Sequence, residues 1–164
     1  MGCFAEDNCP VVDGEKRVSM EITVRELRDS DIEELARIEE ESFSMPWSAE
    51  AFQDLLSHSY CTYLVALADG QVAGCCGYTV VCGEANIDNV VVDPALRCCG
   101  IAQAMLHELI LRGRVSGVGA FTLEVRISNQ IALHIYEKLG FRSEGIRPNF
   151  YEKPIEDANI MWLR

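Results

Sequence analysis

Between Asn89 and Met105 the chain reads NVVVDPALRCCGIAQAM, a run of three valines joined through Asp-Pro and a short turn to a helix-forming segment. Three consecutive β-branched residues favour extended backbone, and the lack of polar alternation fits a strand covered on both faces. The following GIAQAMLHELILRG sets Ile101, Met105 and Leu109 at i, i+4 and i+8, with Ala102, Leu106 and Ile110 beside them. Such a broad apolar face must pack on a sheet, so this one segment already restricts the chain to a layered α/β arrangement with the valine strand at its centre. The junction itself has chemistry. A helix start carries backbone N–H groups without internal partners and about half a positive charge, which suits an anion such as phosphate. Gly100 lets backbone approach a ligand, and Ala102 keeps the next turn small. The nucleotide patterns G-x-x-x-x-G-K-[ST] and G-x-G-x-x-G are absent, which disfavours ATP and NAD.

The rest of the chain supplies the other elements. ITVREL alternates as a strand, and DSDIEELARIEEESF follows as a helix, with Asp and Ser as cap candidates and Ile32, Leu35 and Ile38 at helical spacing. A second short helix is expected after Ser48, preceded by the loop SMPWS with its large aromatic, Trp47. CTYLVALADGQVAGCCGYTVVC reads as two strands around Asp69-Gly70, a dipeptide suited to the positive φ angles of a tight hairpin. AFTLEVRI is a further strand, NQIALHIYEKLG a helix stopped by Gly140, and ANIMWL a last strand. Residues 1–20 show no sustained period and are read as an extension before a single domain over 21–164, with Met20 an alternative start.

No apolar run reaches the roughly 20 residues of a membrane span, and the first twenty residues do not resemble a secretory signal, so a cytoplasmic protein with no membrane partner is expected. The MGCFAE start carries Glu6 where myristoylation requires Ser or Thr. A formal charge of −12 argues against a nucleic-acid surface and accommodates a cationic partner. The eight cysteines include two adjacent pairs and no C-x-x-C spacing, so zinc and a disulfide framework are not expected. They read mainly as small apolar packing residues of a reducing compartment. Cys98 and Cys99, at a helix start, are also candidates for a reactive thiolate that forms a mixed disulfide with a thiol cofactor.

RCCGIA fits the pattern R/Q-x-x-G-x-G/A after a strand ending in V-D-P. In this the sequence resembles the GNAT-superfamily N-acetyltransferases over Ile22 to Arg164. MPWS, NVVVDP, LEVRISNQIALHIYEKLGF and EDANIM together resemble the ribosomal-protein-alanine N-acetyltransferases (RimI) within it. The resemblance implies the GNAT fold, a mixed, mostly antiparallel central sheet flanked by helices, and acetyl-CoA as cosubstrate without a metal. It implies acetyl transfer to a protein's N-terminal α-amine, with the N-terminal alanine of small-subunit ribosomal protein eighteen as the subgroup's acceptor. Other acceptors on the same fold, lysine side chains or small-molecule amines, stay open, as does a non-catalytic CoA-binding sensor module.

Carried over by position, the resemblance assigns backbone of Val90, Val91 and Val92 to the acetyl-pantetheine arm. It assigns the amides of Cys98, Cys99, Gly100, Ile101, Ala102 and Gln103 to the pyrophosphate, and Asn129 to a further CoA contact. Cys98 and Cys99 replace the Gln, Arg or Lys common in that loop, which removes side-chain cations and leaves the amides. An irregular, splayed strand is expected to free an N–H near Val91 or Val92 for the thioester oxygen. Glu124, alternating with Leu123 and Val125, takes the place of the general base, acting through water. Tyr136, placed at the margin of its helix's apolar stripe, takes that of the general acid. His134 competes on intrinsic pKa but is turned differently on the helix, and His58 and His107 read as surface or packing residues. Trp47 and Tyr151 fall in segments flanking the peptide entrance, with Glu156 and Asp157 as candidates for a negative mouth that favours a cationic peptide.

Overall fold

A computed structural model describes residues 20–164. The expected extension therefore lies outside the described residues apart from Met20, which packs half-buried against the core. In chain order the elements are β1 (Ile22–Glu26), α1 (Ile32–Ser42), α2 (Ala49–Leu56), β2 (Cys61–Ala68), β3 (Gln71–Val81), β4 (Glu84–Val92), α3 (Ile101–Val115), β5 (Ala120–Arg126), α4 (Gln130–Lys138), β6 (Arg142–Glu152) and β7 (Ile155–Leu163). The strands form one seven-stranded sheet in the order β1-β2-β3-β4-β5-β7-β6, antiparallel at every pairing except β4–β5.

The local signals act as their chemistry dictates. Asp69 and Gly70 turn the β2–β3 hairpin at φ 49° and 83°. Ser48 caps α2 by accepting the Ala51 N–H at 3.3 Å, and Gly140, at φ 96°, ends the α4 segment. The start of α1 differs from the expected cap. Asp31 accepts the Arg28 N–H at 2.9 Å and receives Arg25 on both carboxylate oxygens at 2.6 and 2.8 Å. Its carboxylate ties β1 to the helix, and its own side chain caps no α1 amide.

Helices cover both faces. On one, α3 and α4 bury Ile101, Met105, Leu106, Leu109 and Tyr136 against Leu64, Cys76, Tyr78, Ile87, Leu123 and Val125. On the other, α1 and α2 bury Leu35, Ile38 and Phe52 against Tyr63, Val65, Cys75 and Val91. Complete burial of a residue such as Phe52 or Leu109 contributes roughly 1.5–3 kcal/mol. The adjacent Cys75 and Cys76 are both fully buried, one in each layer, as the alternation of a strand requires. Cys82 and Cys98 are exposed and do not serve as packing residues.

One strand escaped the sequence reading. β6, RSEGIRPNFYE, is exposed over most of its length, contains Pro148, and loses register with β7 at two places. An edge strand with a single partner needs neither apolar alternation nor a full set of N–H donors, so its sequence carries no strand period.

Candidate active site

The functional geometry begins with one extra residue in β4. Gly77 of β3 faces Asn89 and the next residue, Tyr78, faces Ile87, so Asp88 is the unpaired residue of a β-bulge. The bulge reverses the alternation. Ala85 and Ile87 point to the α3–α4 layer, and so do Val90 and Val92, although the two pairs differ by an odd number of residues. Asn89 and Val91 point to the α1–α2 layer, where the Asn89 amide donates to Glu39 at 2.8 Å.

The bulged strand also parts from its neighbour. β4 and β5 pair from Glu84↔Ala120 to Ile87↔Leu123 and no further. Beyond that pair Val90 to Val92 hold to β3 alone, leaving their other edge toward a wedge in the sheet. This is the irregular strand that the resemblance implied near Val91 or Val92. Close packing of β3 keeps it in place: a Cβ on Gly74 would lie 2.2 Å from the Val91 carbonyl oxygen, so only glycine permits that approach.

Glu124 and Tyr136 flank the wedge from opposite sides. Leu123 and Val125 are buried under α3 and α4, so Glu124, between them, faces the α1–α2 side. There Arg147 of β6 donates to its carboxylate at 3.0 Å. Tyr136 is the one buried residue of α4, packed edge-on to Phe141 at 5.8 Å, and not marginal as its helix position suggested. The reason is Phe141, which follows the Gly140 turn and folds back beneath the helix. Burial raises the Tyr136 phenol well above its usual pKa, with smaller contributions from Cys76, the partner of Val90, and from Tyr151. It is fully protonated at neutral pH. Its hydroxyl makes no hydrogen bond among the described residues and is not sealed from solvent. His134, two residues earlier, is exposed.

The turn after β4 builds the anion end. A 3-10 turn, Pro94–Leu96, is capped by Asp93, and Cys98 and Gly100 then take left-handed conformations at φ 62° and 83°. The N–H groups of Ile101, Ala102 and Gln103 find no acceptor among the described residues, the first backbone donor to the turn being Ala104 onto Gly100 at 3.0 Å. They form a nest of unused donors at the start of α3. Arg97 is turned away, its guanidinium donating to the Val92 carbonyl at 3.3 Å and to Ser42 at 3.0 Å. Beside the turn a groove of about 590 Å³ runs along Gly100, Gln103, Ala104 and His107. Asn129 serves as the α4 N-cap, its side-chain oxygen accepting the Ala132 N–H at 3.1 Å, which leaves its amide N–H₂ as the group open to a ligand.

The remaining expected residues gather on the Glu124 side. Tyr151 donates its hydroxyl to the Glu124 carbonyl at 3.2 Å and lies under the Arg126 guanidinium at 4.1 Å. Trp47 packs on Phe52 and Tyr63 at 5.7 and 5.9 Å. The loop carrying Trp47 and the β6–β7 hairpin are tied where Ser44 donates to the Lys153 carbonyl at 3.0 Å. Glu156 and Asp157 are not free charges at a mouth. Glu156 accepts the Ser128 N–H at 2.8 Å and Arg126 at 2.9 Å, which holds its pKa low, and Asp157 accepts the Asn149 N–H at 2.8 Å. Both brace loops, because the hairpin and the β5–α4 turn leave backbone donors that need acceptors.

Two further acidic residues on the Glu124 side of the sheet were missed. Asp88 accepts the hydroxyl of Tyr63 on one oxygen and that of Thr79 on the other, the latter at 2.7 Å. Surrounding protein raises its pKa against the pull of both hydroxyls, although the residue retains solvent access. Glu39, sealed beneath, accepts Asn89 and the Trp47 N–H at 3.2 Å, and desolvation raises its pKa. No motif flags these residues: a bulge decides where Asp88 points, and Glu39 lies in an acidic stretch of α1.

Residues 32–141 match the model of the acetyltransferase (GNAT) family. The chain belongs to the GNAT acetyltransferases. Over 143 residues it is 34% identical to the [ribosomal protein bS18]-alanine N-acetyltransferase of Escherichia coli (strain K12), covering 86% of this chain and 96% of that protein. The crystal structure of the ribosomal-protein-S18-alanine N-acetyltransferase from Escherichia coli superposes with a TM-score of 0.80 at 33% identity, over 87% of this chain and 93% of that one. Ard1 from Thermoplasma volcanium gives 0.78 at 28% identity, over 87% and 96%. This GNAT domain is an acetyl-CoA-dependent N-acetyltransferase. The residues present fit that cosubstrate: unused α3 amides for a pyrophosphate, and a strand edge open beside a wedge for an amide-bearing arm. No helix among the described residues is long and apolar enough to cross a membrane.

Proposed function

We propose that this enzyme acetylates the N-terminal α-amine of a protein, with the N-terminal alanine of small-subunit ribosomal protein eighteen as acceptor. The observation that carries the reading is the wedge between β4 and β5, with a carboxylate on one face and a buried phenol on the other. The similarity to the alanine N-acetyltransferase of Escherichia coli supports the choice of acceptor. Acetyl-CoA, when bound, supplies an acetyl thioester ready for transfer to an amine.

The chain's own residues divide the work. Ile101, Ala102 and Gln103, with the Cys98–Gly100 backbone, hold the pyrophosphate through N–H groups. The free edge of Val90 to Val92 aligns the pantetheine arm, and an N–H of Val91 or Val92 donates to the thioester oxygen as charge grows there. Glu124 takes the amine's proton through water, and Tyr136 donates its own to the departing sulfur. An α-amine with a pKa near 8 costs only about 1 kcal/mol to deprotonate at pH 7, against roughly 4–5 kcal/mol for lysine, so an N-terminus makes the smaller demand on a base. Trp47 and Tyr151 flank the acceptor entrance.

Release of CoA with a panel of short peptides tests this. Turnover on an alanine-starting ribosomal N-terminus, abolished by blocking that amine, is the expected result. Turnover confined to free lysine, polyamines or other small amines would overturn it.

A further inference from the structure

Ile87 and Leu123 are the last pair joining β4 to β5, so Asp88 and Glu124 are the next residues on the two parting strands. Both face the same side. Glu124 alternates with residues buried under α3 and α4, and Asp88 is held by Tyr63, which belongs to the α1–α2 layer, and by Thr79 on the neighbouring strand. Two acidic residues therefore begin the parting stretch on the face opposite the Tyr136 phenol, the Asp88 carboxylate lying toward β2 and β3, where Tyr63 and Thr79 hold it, and the Glu124 carboxylate toward Arg147 of β6.

Their charges are unequally matched. Glu124 is paired with Arg147 at 3.0 Å. Asp88 is held only by neutral hydroxyls and makes no ion pair among the described residues. Each of its oxygens keeps a second lone-pair direction. Its support is rigid: the Tyr63 ring lies over Gly77, where an added Cβ would come within 2.4 Å of it, and Trp47 packs on its other side at 5.9 Å. An α-amine with a pKa near 8 arrives at pH 7 mainly as an ammonium, and this face thus offers it one unmatched negative charge.

We propose that Asp88 is an acceptor-binding residue, whose carboxylate takes an N–H hydrogen bond from the substrate's α-ammonium on the α1–α2 face of the sheet, the face that Glu124 also lines. The assignment rests on the α-amine reading above. It gives Trp47 a second task, fixing Tyr63 and through it Asp88, and it separates two roles: Asp88 holds the cation, while Glu124 receives its proton.

The test is steady-state kinetics with an alanine-starting peptide, together with calorimetric titration of acetyl-CoA. Asp88→Asn is expected to raise the acceptor KM about tenfold or more, as loss of a charge-assisted hydrogen bond implies, with kcat within about threefold and acetyl-CoA affinity unchanged. Asp88→Glu is expected to recover part of the KM. An unchanged KM in Asp88→Asn, or losses of acceptor KM and acetyl-CoA affinity in parallel, would overturn the assignment. A wild-type measurement stands beside the variants: with CoA bound, the alanyl peptide is expected to bind about tenfold tighter than its propionyl analogue, which lacks the amine. Equal binding, with the alanyl peptide still a substrate, would refute the role of Asp88 alone. Absence of any turnover on the peptide by the wild-type enzyme, with acetyl-CoA still bound, would remove the α-amine reading and this proposal with it.

Discussion

Glu124 and Tyr136 lie on opposite faces of one sheet, and the wedge that opens beyond the Ile87–Leu123 pair is the passage between those faces. In the proposed reaction this keeps base and acid apart, one toward the acceptor and one toward the departing thiol. Glu124→Gln and Tyr136→Phe are each expected to lower kcat by about 10²–10⁴-fold while leaving acetyl-CoA affinity within a few-fold. Stopped-time assays of CoA release, paired with calorimetry, check both halves.

Gly74 is the contact that lets β3 support the open stretch of β4. Gly74→Ala places a methyl 2.2 Å from the Val91 carbonyl oxygen, in backbone and not in a flexible side chain. A loss of about 1–3 kcal/mol in stability is expected. Displacement of Val91 and Val92 should also weaken acetyl-CoA binding several-fold, measured on protein shown to be folded by circular dichroism. The same methyl at Gly145, which meets nothing within 4 Å and needs no left-handed backbone, serves as a comparison without the clash.

Cys98 stands exposed in the turn where related loops commonly carry a cation. Cys98→Lys keeps the backbone donors and adds a charge near the bound phosphates. Acetyl-CoA is expected to bind roughly three- to tenfold tighter at low salt, the gain shrinking as ionic strength rises. Titration at two salt concentrations decides the point, since a gain independent of salt would not be electrostatic.

Asp31 links β1 to α1 and sets a pH limit on stability. Its hydrogen bonds from Arg25, reinforced by the Arg28 N–H, hold its folded pKa below the usual carboxylate value. A depressed folded pKa stabilises the fold above the unfolded pKa, near 3.9, and the contribution is lost as pH falls through the folded value. Asp31→Asn should therefore cost about 2–4 kcal/mol at pH 7, because Arg25 is left without its partner, and progressively less below about pH 4. Urea unfolding at pH 7 and pH 3 measures the difference.

The valine strand, the turn and the α3 helix were legible because each rests on residues close in sequence: three β-branched side chains, a glycine needing φ 83°, and apolar positions four apart. The roles proposed for Glu124 and Tyr136 come from resemblance alone, whereas the side on which Glu124 points was legible through simple alternation. What the chain order hides is whatever depends on partners far along it. β6 has no strand period because an edge needs none, and Glu156 and Asp157 look free until Arg126, Ser128 and Asn149 fold onto them. Tyr136 looks marginal on a helical wheel and is buried in the core cluster, with Phe141 returning to pack edge-on against it. Above all, local sequence determined that a central strand meets a phosphate-ready helix, whereas tertiary pairing decided where that strand bulges. Register is set between strands, and a single extra residue at Asp88 turns the side chains that follow to the opposite faces.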